Sequence, residues 1–184
     1  IGEIYLPLER LVAYYIGEND GAHMPFNFSL IETPWTAHDI VALIDRYEAL
    51  LPPGAWPNWV LGNHDRPRLA ARLGESQARA AAILLLTLRG TPTLYYGDEL
   101  GMPQVDVPAG LLHDPVALRV PALGRDGCRT PMQWDGTPHA GFSTMTPWLP
   151  QSDDAEIRNV DVKLAEPTSL LNLYRRLIAV RRAH

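Results

Sequence analysis

The sequence has little of several features that would each indicate a particular class of protein. Cys128 is the only cysteine, which excludes an intrachain disulfide and a cysteine-rich metal site. The longest apolar run, Ala80 to Leu86, is far too short to cross a bilayer, which takes roughly 20 apolar residues. A positive net charge is also lacking: the net charge is −5 and the pI is about 5.6, so neither nucleic acid nor an anionic membrane is expected as the main partner.

The chain contains enough apolar residues to form one hydrophobic core. Hydrophobic residues make up 46% of 184 positions, so we expect one domain or part of one. The chain begins with Ile1 and not with methionine, and Ile-Gly-Glu-Ile-Tyr resembles the middle of a domain. No signal peptide is recognisable, and a cytoplasmic location is the expectation.

Three segments have the pattern of a helix. Thr36, with Asp39 three residues later, forms a capping box and predicts a helix over the apolar-periodic residues that follow. A second helix is predicted from about Glu75 to Arg89, with Gly90 placed to cap its C-terminus. The third predicted helix runs from about Thr168 to Arg182.

Short apolar runs alternate with these helices. Residues 59–61 and 91–96 are predicted strands, and weaker candidates are 24–30 and 2–5. This alternation is typical of an α/β protein with a parallel sheet. Residues 97–166 break the pattern and are rich in proline, glycine and aspartate, which predicts a long loop insertion. Insertions of this size are usually functional.

Polar side chains follow three of the predicted strands: Glu3, then Asn63-His64-Asp65, then Asp98-Glu99. In parallel barrels the active site is assembled at that end of the strands. Each cluster alone is equally compatible with a polar turn or a helix cap. Together they suggest a carbohydrate site, because glycosidases place two or three carboxyl groups around one sugar ring.

Aromatic side chains that could stack on a sugar ring are Trp56, Trp59, Tyr95, Tyr96 and Trp134. For Trp59 and Tyr95 core packing is the preferred interpretation.

Five collinear segments carry a resemblance to a known family. Residues 59–65, WVLGNHD, resemble the strand-seven motif of glycoside hydrolase family 13, the alpha-amylase superfamily. Residues 91–102, TPTLYYGDELGM, resemble its strand-eight segment, residues 1–7 its strand five, and residues 21–28 strand six of its glucosidase branch. Residues 125–134, RDGCRTPMQW, are similar to the long loop after strand eight in alpha-glucosidases.

The resemblance implies a fold and an extent. It implies a (β/α)8 TIM barrel, of which residues 1–184 are the C-terminal half, covering approximately strands five to eight, with the loop at about 97–166 after strand eight. The family's nucleophile, an aspartate at the end of strand four, has no counterpart here. The chain alone is therefore expected to be inactive, and the N-terminal half of the barrel or a second copy is expected to cover its exposed sheet edges.

The resemblance also implies roles for single residues. Glu3 matches the general acid/base, and Asp65 matches the second carboxylate, which grips ring hydroxyls and helps distort the sugar. His64 and Arg129 match substrate-binding residues. Asp98 and Glu99 are expected to organise the loop, whereas His23 and His139 are ambiguous between sugar contact and a structural role. No cofactor and no metal ion is expected.

The implied activity is that of a retaining alpha-glucosidase acting on terminal alpha-linked glucose in short oligosaccharides. Residues 63–68, NHDRPR, resemble alpha-glucosidases and oligo-1,6-glucosidases. A transglycosylating or isomerising relative, such as a trehalose synthase or sucrose isomerase, is the first alternative. A non-catalytic superfamily homologue is the second. The sequence leaves open the choice between alpha-1,4 and alpha-1,6 linkages.

Overall fold

The structure is a computed structural model that describes residues 1–15 and 21–183. The chain forms two compact units. The first unit comprises residues 1–61 and 84–94, and the second comprises residues 62–83 and 95–184. Among the described residues, no helix is both long and apolar enough to cross a membrane.

Seven α-helices occur in the described residues. They are α1 (Leu8–Leu11), α2 (Ser29–Glu32), α3 (Ala37–Leu50), α4 (Leu69–Leu73), α5 (Glu75–Thr87), α6 (Val160–Ala165) and α7 (Leu170–Ala183).

The described residues of the first unit contain four short strands, β1 (Gly2–Glu3), β2 (Pro25–Phe26), β3 (Asn58–Val60) and β4 (Thr91–Thr93). Strand β1 pairs with β2 and β3 pairs with β4, both in parallel, and β2 also contacts β3. Helices separate the strands along the chain, which confirms the α/β class. The strands form two small two-stranded sheets and not one continuous sheet.

The core of the first unit is built around β3. Trp59 is fully buried, and its ring meets that of Tyr47 edge-on with centroids 5.1 Å apart. The Tyr47 hydroxyl is hydrogen-bonded to that of Tyr15 at 2.6 Å. Val60 faces a separate cluster with Phe28 and its neighbour Ile31. Both faces of β3 are therefore covered, as expected of a strand in a parallel sheet.

The capping box predicted a helix at α3, and the structure confirms it. Thr36 is the N-cap, and its hydroxyl oxygen accepts a hydrogen bond from the Asp39 N–H at 3.1 Å. The same hydroxyl donates to the Asp39 carboxylate at 2.7 Å. Ile40 and Tyr47 supply the buried face of the helix.

Helix α5 begins at the predicted residue but ends at Thr87, two residues before the predicted end. Gly90 therefore does not cap it directly and serves the connection to β4. Its φ is +116°, and a Cβ atom there would lie 2.5 Å from the Pro57 carbonyl oxygen. Only glycine lets the two backbones approach this closely.

Three predicted strands are shorter in the structure. The run 2–5 forms a strand only at Gly2–Glu3. The run 24–30 contributes only Pro25–Phe26 to a strand, because the Asn27 side chain accepts a hydrogen bond from the Ser29 N–H and a helix starts there. The run 91–96 forms a strand only to Thr93, since Tyr95 starts a turn closed by the Asp98 N–H.

The second unit contains the long segment 97–166, all of which the structure describes. It is held by five 3-10 turns: Asp98–Leu100, Ala109–Leu111, Pro121–Leu123, Asp126–Cys128 and Pro138–Gly141. Its last part forms α6, a helix that the sequence pattern did not predict. The Asn159 side chain caps α6 by accepting from the Val162 N–H at 2.9 Å.

A small core ties this segment to the last helix. Leu100, Met102 and Met132 are buried together, and Val160 and Leu171 pack against them. The predicted third helix is confirmed as α7, with Leu170 and Tyr174 buried.

Candidate active site

Asp65 lies in the turn that follows β3, and its position is set by Asn63. The buried Asn63 side chain accepts a hydrogen bond from the Asp65 N–H at 3.0 Å. Such an Asx turn fixes the backbone two residues on. The Asp65 side chain is 27% exposed, so its carboxylate remains open to a ligand.

Two arginines converge on this carboxylate. Arg125 Nη1 and Arg129 Nη2 each lie 3.0 Å from the same oxygen, Oδ1 of Asp65. Arg129 also donates from Nε to the His64 carbonyl oxygen at 2.8 Å. His64 Nε2 is 3.6 Å from Asp65 Oδ1, and more than half of the His64 side chain is exposed. The structure therefore brings together three of the predicted site residues: His64, Asp65 and Arg129.

Arg125 is itself held by a buried carboxylate. Its Nε and Nη2 donate to the two oxygens of Asp114, each at 2.8 Å. Asp114 is only 2% exposed, and these bonds hold the pKa of its carboxyl well below the usual range. The fork geometry of the guanidinium suits such bidentate pairing. Arg125 thus links the buried carboxylate of Asp114 to the partly exposed carboxylate of Asp65.

Asp126 fixes the backbone of Asp114. One oxygen of its buried carboxylate accepts the backbone N–H groups of His113 and Asp114 at 2.7 Å and 2.8 Å. The Asp114 carboxylate also accepts the Arg125 N–H at 2.9 Å. Two stretches of the long segment are consequently locked together, and Arg125 is preorganised before a ligand arrives.

The turn that carries Arg129 is tied to the segment after β4. Tyr95 donates to the Cys128 carbonyl oxygen at 3.0 Å, and Tyr96 donates to the Thr130 carbonyl oxygen at 2.8 Å. The two hydroxyls hold the residues on either side of Arg129. Arg129 therefore points towards Asp65 because its backbone is fixed on both flanks.

Arg68, the last residue of the NHDRPR segment, is buried and belongs to the support of the site. It is 1% exposed, and Nη1 donates to the Tyr96 carbonyl oxygen at 2.7 Å. Its guanidinium lies 4.8 Å from the ring centroid of Tyr96, within the range of a cation–π contact. Arg68 links the turn of Asp65 to the segment after β4.

Asp98 is also buried, at 4% exposure. Burial raises the pKa of its carboxyl to about 7, against the opposing effect of the positive charge on Arg68. A Cβ atom at Gly62 would lie 2.8 Å from Asp98 Oδ2, so glycine is required where the two segments meet. Burial also raises the pKa of Glu99. These positions favour the structural interpretation of both acids.

Glu3 is the last residue of β1 and belongs to the first unit. It pairs in register with Phe26 of β2, and its side chain is exposed. Glu3 therefore lies at the carboxyl end of a parallel strand. This is the end of the strands at which barrel enzymes carry their catalytic residues, and it is where the resemblance predicts the general acid.

The five candidate aromatics divide by burial. Trp59 is fully buried and donates from Nε1 to the Arg89 carbonyl oxygen at 2.7 Å, which confirms the core interpretation. Tyr95 is partly buried and supports the loop. Trp56, Tyr96 and Trp134 expose between 37% and 49% of their surface, so their rings are accessible to a ligand.

Arg125 and Asp114 were not predicted from the sequence as site residues. Arg125 carried a signal, because it stands four positions before Arg129 at the start of the RDGCRTPMQW segment. Asp114 lies among prolines and leucines that show no periodicity. No sequence signal therefore pointed to it. The side chains of two nearby aspartates bind other groups: the Asp126 carboxylate accepts backbone N–H groups of His113 and Asp114, and the Asp135 carboxylate accepts from Thr137.

This arrangement can be placed among known proteins. The family model of the alpha amylase catalytic domain matches residues 1–184. The chain belongs to the alpha-amylase family. Its catalytic domain is a (β/α)8 barrel, which is consistent with parallel strands separated by helices.

The curated relatives of this alpha-amylase family member include alpha-glucosidases and amino acid transporter heavy chains. Maltase A1 of Drosophila melanogaster is 37% identical over 190 residues, which cover 98% of this chain and 33% of that protein. A probable alpha-glucosidase of Rhizobium meliloti is 34% identical over 192 residues, covering 100% and 35%. The amino acid transporter heavy chain SLC3A1 of Homo sapiens is 38% identical over 176 residues, covering 92% and 24%. The chain spans about a third of the length of the first two.

Solved structures give the same family. The alpha-glucosyl transfer enzyme XgtA matches with a TM-score of 0.88 and 36% identity, over 98% of this chain and 35% of that one. The trehalulose synthase MutB from Pseudomonas mesoacidophila matches with a TM-score of 0.83 and 29% identity, over 97% and 39%.

Proposed function

We propose that this chain is the C-terminal half of the catalytic barrel of a retaining alpha-glucosidase, covering strands five to eight. The substrate class is terminal alpha-linked glucose in short oligosaccharides. The maltase and alpha-glucosidase names of two relatives support this choice.

The observation that carries the proposal is the set of contacts at Asp65. Arg125 and Arg129 both hold one carboxylate oxygen, Oδ1, and Nε2 of the exposed His64 ring lies 3.6 Å from the same oxygen. A carboxylate fixed in this way is suited to grip neighbouring hydroxyls of a sugar. Hydrogen bonds to ring hydroxyls accelerate glycoside cleavage when they strengthen in the transition state.

Glu3 has the complementary role of general acid/base. Its carboxyl protonates the glycosidic oxygen as the bond to the leaving sugar breaks. It then takes a proton from water as water attacks the glycosyl intermediate. In this proposal the nucleophile is an aspartate at the end of strand four, supplied by another part of the parent protein.

Two substitutions in the full-length protein test these roles. Glu3→Gln is expected to lower kcat on maltose or isomaltose by about 10²–10⁴-fold, the usual contribution of one general acid or base. Asp65→Asn is expected to lower kcat by several orders of magnitude, because the contacts of this carboxylate with the sugar strengthen in the transition state. Asp106→Asn, an exposed aspartate of the long segment, is the matched control and should retain full activity. A loss below tenfold for either variant would remove its assigned role.

Two alternatives have support from particular relatives. The structures named as a glucosyl transfer enzyme and a trehalulose synthase favour attack by a bound sugar in place of water. Product analysis separates the two: glucose release from maltose and sucrose supports hydrolysis, whereas an isomeric disaccharide supports transfer. The transporter heavy chain favours a non-catalytic role. No turnover of any alpha-glucoside by the full-length protein would support that role.

We also propose that the free edges of the two small sheets are covered by the N-terminal half of the barrel or by a second copy. Unpaired strand edges expose N–H and C=O groups that seek a partner. Residues 1–184 alone should be inactive, and mixing them with the N-terminal half should restore activity. Activity of the isolated chain would contradict the assignment of β1 to strand five. The cytoplasmic location stays a prediction.

A further inference from the structure

Arg68 is the only buried arginine among the described residues, with 1% of its surface exposed. Its Nη1 donates to the Tyr96 carbonyl oxygen, but Nε and Nη2 have no hydrogen-bond partner in the part of the chain that the structure describes. Burying a charged group with unpaired donors costs stability. Stability therefore does not explain an arginine at this position.

The backbone of Arg68 is fixed on both sides. Its N–H donates to Gln104 Oε1 at 3.1 Å. Its carbonyl oxygen accepts the N–H groups of Ala71 and Arg72, each at 3.1 Å, where helix α4 begins. Pro67 precedes it and has a restricted φ. The long side chain thus extends from a rigid base, so its guanidinium can set the position of another group.

That group is Tyr96. Besides the hydrogen bond to the Tyr96 carbonyl oxygen at 2.7 Å, the Arg68 guanidinium lies 4.8 Å from the centroid of the Tyr96 ring. The distance is typical of a cation–π contact. Tyr96 is 37% exposed, so packing alone does not hold its ring. Arg68 contacts both the backbone and the side chain of this tyrosine and so fixes its orientation.

A closed chain of contacts runs from Arg68 back to itself. The Tyr96 hydroxyl donates to the Thr130 carbonyl oxygen at 2.8 Å, and the neighbouring Arg129 donates to Asp65 Oδ1 at 3.0 Å. The polypeptide then returns from Asp65 to Arg68 in three residues. The separation of Arg129 and Asp65 is consequently fixed from two directions. Breaking one link leaves Arg129 held on one side only.

We infer that Arg68 is a positioning residue of the candidate active site, which acts through Tyr96 to hold Arg129 against Asp65. This inference rests on the proposed function, in which Asp65 grips the sugar. It adds a residue that touches neither the sugar nor Asp65 and nevertheless controls the rate of cleavage.

The test is a double-mutant cycle in the full-length protein, with kcat and KM measured on maltose or isomaltose. Tyr96→Phe removes only the hydroxyl and should lower kcat/KM about twofold to tenfold, the range of one neutral hydrogen bond. Arg68→Met keeps an unbranched side chain and should lower kcat/KM about tenfold to a hundredfold, the range of a hydrogen bond from a charged group.

Two features of the cycle distinguish positioning from a purely structural role. The double variant should lose little more activity than Arg68→Met alone, because both substitutions break the same chain of contacts. The loss should lie mainly in kcat, since the contacts of Asp65 with the sugar are strongest in the transition state. Arg68→Lys retains a donor towards Tyr96 and should recover part of the kcat that Arg68→Met loses.

Matched controls are available in the second unit. Tyr174 is 2% exposed, and its hydroxyl has no hydrogen-bond partner among the described residues. Tyr174→Phe should therefore leave kcat/KM unchanged. Arg119→Met, at an exposed position, should also leave it unchanged. A thermal melt of each variant establishes that it is folded, and Arg68→Lys replaces Arg68→Met in the cycle if the latter melts below the assay temperature.

Two results would overturn the inference: wild-type kcat/KM in the folded Arg68 variant, or fully additive losses in the double variant. If the wild-type protein cleaves no alpha-glucoside, the proposed function fails separately. The free energy of unfolding then decides the inference, in a cycle of Arg68→Met with Arg129→Met. Non-additive losses would support Arg68 as the residue that holds Arg129, and additive losses would refute it.

Discussion

Arg125 is predicted to position Asp65 for catalysis, and its contacts determine the size of the effect. It makes two bonds to Asp114, at 2.8 Å each, and one to Asp65, at 3.0 Å. Only the last acts on the carboxylate that is proposed to grip the sugar. Arg129 still holds the same oxygen when Arg125 is lost. The loss should therefore be that of one charge-assisted hydrogen bond, about tenfold to a hundredfold in kcat/KM.

The informative substitution is Arg125→Lys, which keeps the positive charge but removes the planar guanidinium with its several N–H donors. A single ammonium group cannot bridge Asp114 and Asp65 in the way that the guanidinium does. We expect kcat to fall more than KM rises, because a misplaced Asp65 weakens contacts that are strongest in the transition state. Asp114→Asn should have a similar but smaller effect, since it releases Arg125 from its anchor without removing it.

The assay is steady-state hydrolysis of maltose or isomaltose by the full-length protein, with a thermal melt of each variant. Arg119→Lys, at an exposed position of the same segment, is the control for the substitution itself. A folded Arg125→Lys variant with wild-type kcat/KM would refute the positioning role. A change in KM alone would assign Arg125 to binding and not to the orientation of Asp65.

Two further predictions concern stability. Gly90→Ala should lower the free energy of unfolding by more than about 1 kcal/mol, because the new Cβ meets the Pro57 backbone and φ is positive. Gly54→Ala, also at positive φ but in open space, should cost less in chemical denaturation, and equal losses would contradict the role of the close approach. The pKa of Asp98 is raised to about 7 in the fold, above roughly 3.9 in an unfolded chain. The folded state therefore binds this proton more tightly, so stability falls as pH rises between those values. Asp98→Asn should gain melting temperature relative to wild type as pH increases from about 5 to about 8, and a gain independent of pH would argue against this titration.

Local patterns were sufficient to predict several elements. The cap of α3 joins Thr36 to Asp39, three residues apart, so the sequence contains the whole interaction. The other two predicted helices, α5 and α7, were recovered with ends displaced by at most two residues. The strand predicted at 24–30 was too long because the hydrogen bond between Asn27 and Ser29 competes with strand pairing at that point.

The burial of single side chains was only partly predictable. Trp56 and Trp59 stand three positions apart and have the same chemistry, yet one is 49% exposed and the other fully buried. Tyr47 of helix α3 packs against Trp59 of strand β3, and no local sequence pattern specifies this contact. Asp98 likewise looks like an ordinary loop acid in the sequence, and its raised pKa arises from the segments folded around it.

The sequence by itself determined the family, the parallel α/β class and the positions of Glu3, His64, Asp65 and Arg129 in recognisable motifs. Only the tertiary structure decided what holds Asp65. Arg125 and Arg129 reach it across more than fifty residues of chain, and Asp114 orients Arg125 from a stretch without any pattern. The physical reason is that hydrogen bonds and ion pairs depend on distance in space. Folding brings these groups within about 3 Å of one another, the separation at which such bonds form.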